Sequence, residues 1–323
     1  MRQRKVAQDQ PKSGGGGGGS SSDEYEFGKE AKEKKLKPLF TTIVVLGGAL
    51  VLVDRTYTLS FDVKINSLLL ISLVAIIIMF VTSDPIPQAQ AYHNFADQRC
   101  LVCCVPNSFD VLSNIPFALV SAFGLDHVYN GSEGIVSKLL KVPPPMFIAP
   151  EKEKPLWILY FIGVGLVSIG SGYYHWRPTD ARLVWDRLPM TICFMAVLAS
   201  IIEETTNMVS PLLVVSLVTF GAGSVFYWSV TDDLRPYALV QFYSLALIPL
   251  LMLLFPTNYE GAMPNYMLSL LFYVAAKITE AKDKQIFRAT GKLVSGHTIK
   301  HLLAGVATSL ASVMLMKRTA RVQ

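Results

Sequence analysis

Charged residues are scarce in this chain, and their scarcity excludes an ordinary water-soluble globule. Asp, Glu, Lys and Arg make up 16% of the 323 residues, whereas 51% are hydrophobic. Soluble domains carry about 25% charged residues. The hydrophobic residues also come in long blocks, and blocks of about 17–25 apolar residues have the length that crosses a bilayer as a helix. The composition therefore predicts an all-α polytopic membrane protein.

Two further absences narrow the function. The formal net charge is +5, but no basic stripe interleaved with aromatic residues accompanies it, so nucleic-acid binding is not expected. The run "CLVCC" at 100–104 has no second Cys or His pair at metal-ligand spacing. A structural zinc site at this run is therefore only weakly supported. The function is therefore to be sought in polar residues within or beside the apolar blocks.

The apolar blocks divide the chain into three predicted regions. Residues 1–37 are polar and contain "SGGGGGGSSS", a composition typical of a disordered tail. Residues 38–84 hold one or two extra N-terminal membrane helices, because the first block is short for a span. Residues 92–317 form a core of seven membrane helices. The candidate spans are about 39–57, 66–83, 109–128, 156–175, 184–204, 210–230, 236–256, 264–281 and 297–316.

The distribution of Lys and Arg predicts how these helices are oriented. If all nine cross, the basic tail and the basic loop at 282–296 lie on the same side, which the positive-inside rule makes cytosolic. The sequon Asn130-Gly131-Ser132 then falls on the lumenal side, in agreement with that orientation. If only one of the first two blocks crosses, the assignment inverts. We expect an endoplasmic reticulum or Golgi membrane.

Five ionisable or hydroxyl residues stand at span ends, where they are costly and mark a functional site by default. Ser171 and His175 are four residues apart and share one helix face, and so do His297 and His301 at the start of the last span. Asp186 follows a short turn after His175. The predicted topology brings all of these span ends to one side of the membrane.

This set of residues predicts a hydrolytic zinc site. Three neutral imidazoles are a known zinc arrangement that leaves a fourth position for water, and the metal lowers the pKa of that water toward about 7. The carboxylate of Asp186 would accept the proton of the water and pass it to a leaving group. The expected substrate is a carbonyl compound dissolved in lipid.

Each residue taken singly has a simpler interpretation. An HxxxH pair at a helix end is more often a packing feature, Asp186 flanked by Arg182 and Arg187 could be a salt-bridged cap, and Ser171 could be a small residue for close helix packing. Glu203 and Glu204, at another span end, are expected to be solvated. The placement of the five site residues at one membrane face favours the metal site.

The same residues resemble a known family. Ser171 and His175 in "SGYYH", Asp186 eleven residues later, and His297 and His301 in "HTIKH" resemble the CREST superfamily of seven-span membrane hydrolases, and most of all its alkaline ceramidases. The likeness covers about residues 92–316. It implies that the three histidines bind zinc, that Asp186 acts on the zinc water, and that Ser171 helps to hold the site.

The resemblance implies a ceramide-like membrane lipid as substrate, cut at its amide bond to a fatty acid and a long-chain base. The alternatives are a lipid esterase or phospholipase of the GPI-anchor remodelling type, a seven-span receptor and a metal-ion transporter. Alkaline ceramidases also carry an acidic calcium motif with a Trp-Cys-Glu run. That run is missing here, although four residues offer oxygens, so a calcium site has weak support: Asp97, Asn107, Asp110 and Asn114.

Overall fold

The computed structural model describes residues 21–101, 104–139 and 150–320, and most of them are helical. Thirteen α-helices are described, together with 3-10 turns at Gln90–His93 and Gly131–Glu133 and a π-helical turn at Leu239–Tyr243. The helices are α1 Ser21–Tyr57, α2 Phe61–Thr82, α3 Ser108–Leu112, α4 Ile115–Asn130, α5 Ile135–Leu139, α6 Lys154–Trp176, α7 Asp180–Thr206, α8 Pro211–Thr231, α9 Arg235–Ala238, α10 Ser244–Leu254, α11 Ala262–Ala281, α12 Asp283–Ala289 and α13 Gly296–Lys317.

Eight stretches of helix are long and apolar enough to cross a membrane, as expected of a multi-pass membrane protein. They are Leu36–Tyr57, Phe61–Thr82, Ser108–Asn130, Lys154–Trp176, Asp180–Thr206, Pro211–Thr231, Arg235–Leu254 and Gly296–Lys317. The ninth predicted span coincides with α11, which is helical but less apolar, since it carries Asn265, Lys277 and Glu280. The all-α membrane class is therefore confirmed, and eight of the nine predicted spans meet the length and hydropathy of a crossing helix.

The N-terminal helix begins earlier than the apolar block that predicted it. Helix α1 runs from Ser21, so residues 21–37 of the predicted disordered tail are helical, while residues 1–20 lie outside the described residues. Helices α1 and α2 pack together as a hairpin, and α1 also contacts α10. A Cβ on Gly47 would lie 2.7 Å from Leu250 Cδ2, which shows how close this contact is.

The rest of the bundle is built from sequence neighbours that pack in pairs. Helix α6 contacts α4 and α7, helix α7 contacts α8, and α11 contacts α13. The turn between α6 and α7 has three residues, and the last of them, Thr179, caps α7 by accepting a hydrogen bond from Arg182 N at 3.3 Å. This short capped turn holds the end of α6, with His175, beside the start of α7, with Asp186.

A polar network closes the opposite end of the bundle. Strands β1 Tyr259–Glu260 and β2 Thr319–Ala320 form a two-residue antiparallel ladder there. Arg318, 1% exposed, pairs with Glu153 at 2.6 Å and with Glu204 at 3.5 Å. The expectation that Glu203 and Glu204 are solvated is wrong, since they are 5% and 1% exposed. Glu203 accepts a hydrogen bond from Val209 N just beyond the end of α7.

Candidate metal centre

Three histidines from two helices meet inside the bundle. His175 lies in the last turn of α6, and His297 and His301 lie one turn apart at the start of α13. All three are buried, with exposures of 0%, 3% and 2%. The i, i+4 spacing places the α13 pair on one helix face, and the end of α6 supplies the third ring. The structure thus brings together the three residues predicted as metal ligands.

The ring nitrogens have the spacing of a metal site. One nitrogen from each ring can be chosen so that all three lie within 4.8 Å of one another, and this is a group that could hold a metal ion. Nε2 of His297 is 3.3 Å from Nε2 of His175, which is about the distance between two ligands of a tetrahedral ion with bonds of about 2.0–2.1 Å. The buried Nε2 of His301 has no hydrogen-bond partner among the described residues.

Helix α13 is fixed at its first turn, where the two histidines lie. Ser295 caps the helix by accepting a hydrogen bond from Thr298 N at 2.9 Å, and Asp283 accepts one from His297 N at 2.9 Å. Burial raises the pKa of Asp283, while the hydrogen bonds from Ala96 N and His297 N act against that rise. Gly296 is required here, because a Cβ would lie 2.3 Å from the Thr279 carbonyl oxygen.

Side chains on α3 and just after it hold His301 and the start of α13. Nδ1 of His301 is 2.8 Å from the hydroxyl of Ser113, which follows α3. Asp110, on α3, accepts hydrogen bonds from Ser295 at 3.1 Å and from Thr298 at 2.6 Å. A hydrogen bond on the ring nitrogen away from the metal fixes the ring orientation and raises ligand basicity. Ser113 therefore leaves Nε2 of His301 free for a metal.

The residues considered for calcium are hydrogen-bonded, while Asp110 Oδ2 and Asn114 Oδ1 are buried without a hydrogen-bond partner among the described residues. Asp97 forms a two-pronged pair with Arg99, at 2.7 and 2.6 Å. Asn107 donates to the His175 carbonyl oxygen at 2.7 Å, and Asn114 donates to the Asp110 carbonyl oxygen at 2.8 Å. These side chains support the histidine site and its neighbouring turns.

An aromatic ring covers the histidines. Phe95, 5% exposed, lies with its ring centroid 4.7 Å from that of His175 and 4.6 Å from that of His297. It comes from the segment between α2 and α3, which has no apolar periodicity, so no sequence signal pointed to it. The ring shields one side of the cluster from water.

Asp186 and Ser171 lie on the neighbouring helices α7 and α6, and neither is among the metal-ligand group. Asp186 is 5% exposed and Ser171 2% exposed, and both line the same cavity as His301. The helices touch here because Gly170 has no side chain: a Cβ on it would lie 2.0 Å from the Trp185 carbonyl oxygen. The close packing considered for Ser171 therefore belongs to Gly170.

A partly buried lysine beside the cluster was not predicted. Nζ of Lys300 is 3.3 Å from Nε2 of His297 and 2.9 Å from Oε1 of Glu280. Glu280 also pairs with Lys277 and accepts a hydrogen bond from Tyr92 at 3.0 Å. A charged residue between the two histidines of "HTIKH" was the available signal, since a lysine inside a span is costly unless it is paired.

One edge of the site borders a large cavity of about 1030 Å³. Ser171, Asp186 and His301 line it at the metal end, and its walls run along α7, α10, α11 and α13 to Tyr266. Most of the lining is apolar, for example Phe117 on α4. This volume lies at the upper end of the range of small-molecule sites, about 300–1,000 Å³, and suits a long hydrocarbon chain.

Comparison with known proteins adds no assignment to this geometry. No family model, no curated protein and no solved structure matches the chain.

Proposed function

We propose that this protein is a zinc-dependent intramembrane lipid hydrolase that cleaves the amide bond of a ceramide-like lipid, releasing a fatty acid and a long-chain base. The observation that carries the proposal is that His301, one of the three clustered histidines, lines one largely apolar cavity together with Asp186 and Ser171. A metal site, a proton acceptor and a compartment for a hydrocarbon chain are thereby combined in one place.

The donor set favours zinc over harder metals. His175, His297 and His301 offer three imidazole nitrogens, whereas calcium and magnesium prefer oxygen ligands. Three histidines and an open fourth position are typical of catalytic zinc. When bound, zinc supplies Lewis acidity, which activates water and polarises a carbonyl.

The chain's own residues supply the proton transfers. Asp186 accepts a proton from the attacking water and delivers it to the amine nitrogen as the carbon–nitrogen bond breaks. Ser171, which lines the cavity together with Asp186, orients the Asp186 carboxylate. The water's oxygen ends in the fatty acid and its proton on the amine, so the hydrolysis balances without a further reactant.

The cavity selects a lipid. Its apolar walls, among them Val164, Met190 and Phe194, bury a hydrocarbon chain, and each buried methylene contributes about 0.8 kcal/mol relative to water. A chain held there places the carbonyl to which it is attached at the metal end, beside Asp186.

The test is lipid mass spectrometry with purified protein and a panel of ceramides, phospholipids and GPI-anchor lipids. We expect wild type to release long-chain base, Asp186→Asn to lose about 10²–10⁴-fold in rate, and His297→Ala to lose both activity and bound zinc. Asp180→Asn, an exposed position on the same helix and outside the cavity, is the matched control and should keep the activity.

Two outcomes would contradict the proposal. Cleavage of phospholipids or anchor lipids with ceramides left intact would replace the amidase with an esterase or phospholipase. Absence of zinc in wild type, together with unchanged activity of His297→Ala, would remove the metal mechanism.

A further inference from the structure

The charges that line the cavity are unbalanced. Among the described residues, its lining includes four cationic side chains and two carboxylates: Lys37, Arg187, Lys277 and Lys300 against Asp186 and Glu280. The lining thus carries a formal charge of +2 before any metal ion is bound. A metal dication at the histidine cluster adds to this excess. A cavity of this kind favours a ligand that brings negative charge with it.

Among these four cations, Arg187 is the one that is buried without a carboxylate paired to it. It is 4% exposed and forms no salt bridge with any described carboxylate. Its Nη2 donates to the side-chain oxygen of Gln88 at 2.6 Å, and the guanidinium lies 4.2 Å from the ring centroid of Trp228 and 4.9 Å from that of Tyr237. The buried Nη1 has no hydrogen-bond partner in the part of the chain that the structure describes.

The two carboxylates of the cavity do not supply the missing partner. Glu280 is already shared by Lys277, Lys300 and Tyr92. Asp186, the neighbour of Arg187 in the chain, interacts with it electrostatically but forms no hydrogen bond or salt bridge with it among the described residues. An arginine buried without an anion is costly, because its charge loses water and gains little in return.

An anionic oxygen at the cavity would satisfy Arg187. A guanidinium presents paired N–H donors that match a phosphate or carboxylate, and such charge-assisted bonds are the strong ones. Arg187 and Asp186 both line the cavity, so an anion bound to the guanidinium shares that cavity with the reacting end of the lipid. Lys37, exposed at the N-terminal end of the apolar part of α1, adds a second positive charge to the same cavity lining.

We propose that Arg187 and Lys37 form a subsite for the phosphate of a lipid headgroup, so that the substrate is an N-acyl lipid with a phosphate-bearing headgroup. Cleavage of that lipid rests on the proposed function, whereas its binding does not. The apolar cavity takes the acyl chain and the cationic subsite takes the headgroup. The amide between them then lies at the metal end.

The test compares ceramide 1-phosphate with ceramide of the same acyl chain, using full-length Asp186→Asn protein in detergent so that binding is measured without turnover. We expect the phosphorylated lipid to bind about tenfold more tightly. Adding Arg187→Gln should abolish that preference, Arg187→Lys should keep part of it, and Lys37→Gln should reduce it. Arg182→Gln is the matched control, since Arg182 lies on the same helix but outside the cavity lining.

The outcomes separate this inference from the proposed function. Equal binding of the two lipids, or a preference that persists in a folded Arg187→Gln variant, overturns the headgroup subsite. Competition by inorganic phosphate at the concentration of the lipid also overturns it, since the site would then bind free phosphate. Should wild type bind the phosphorylated lipid preferentially but cleave neither lipid, the amidase proposal fails and the subsite stands.

Discussion

At the scale of single residues, the metal centre depends on side chains that lie outside the three ligands. Ser113 hydrogen-bonds Nδ1 of His301 and leaves Nε2 for the metal. Phe95 covers two of the rings. Both residues come from segments that contain no metal-ligand pattern, and their contribution follows only from where the chain folds them.

Ser113→Ala is expected to weaken zinc binding without removing a ligand. Loss of an outer-shell hydrogen bond at a metal site lowers affinity by about 10–100-fold, and a competitive titration with a chelator measures that change. Ser168→Ala is the control, because its hydroxyl donates to the Asn114 carbonyl oxygen and touches none of the three histidines. Equal zinc affinity in wild type and Ser113→Ala would show that the hydrogen bond does not orient His301.

At the scale of helices, the site is set by how closely α6 approaches α7. The contact at Gly170 lets the backbone of α7 reach α6 at Trp185, one residue before Asp186. The three-residue turn between the helices then fixes their relative position. The position of Asp186 therefore depends on Gly170 of the neighbouring helix α6 as well as on its own helix α7.

Gly170→Ala is expected to force these helices apart. The added methyl group would lie 2.0 Å from a backbone oxygen, and overpacking of this kind typically costs about 1–3 kcal/mol. Both the thermal unfolding temperature in detergent and the hydrolytic rate should fall. Gly172→Ala, two residues away with nothing within 4 Å of its Cβ, should be tolerated; similar behaviour of the two variants would contradict this assignment.

The sequence predicted local relationships well and long-range ones poorly. Helix periodicity alone places His297 beside His301 and Ser171 beside His175, because both pairs are four residues apart. The prediction that the two pairs lie at the same side of the membrane needed only the order in which the spans cross. Arg318, by contrast, meets Glu153 across 165 residues of chain, and no local pattern reports such a pairing. The same reason explains why Glu203 and Glu204 were wrongly expected to be solvated.

At the scale of the whole molecule, the end of the bundle opposite the metal site is held by a buried ion network. Arg318 follows α13, and its partners lie at the start of α6 and near the end of α7. Tyr259 and Tyr266 donate hydrogen bonds to the two carboxylates, at 2.5 and 3.1 Å. Three helices are thus joined at one buried guanidinium.

Arg318→Met is expected to destabilise the protein by about 3–5 kcal/mol, since it leaves two buried carboxylates without their cation. Denaturant unfolding in detergent measures the loss, and a Glu153→Gln, Glu204→Gln double replacement in the same background should restore part of it. Zinc content of the folded fraction should stay at the wild-type level, because Glu153 and His175 are about 33 Å apart along α6. Lys317→Met, at an exposed position, is the control, and an equal loss of stability in that variant would argue against the network.

Helix α1 gives the cavity part of its wall, through Leu36, Lys37 and Phe40. The ring of Phe40 also packs edge-on against Phe242, at a centroid distance of 5.7 Å. A shortened form of the protein that begins after residue 60 would keep all three histidines and Asp186 but lose this part of the cavity wall. Under the proposed function, that form keeps its metal ligands and binds its lipid less tightly and less selectively.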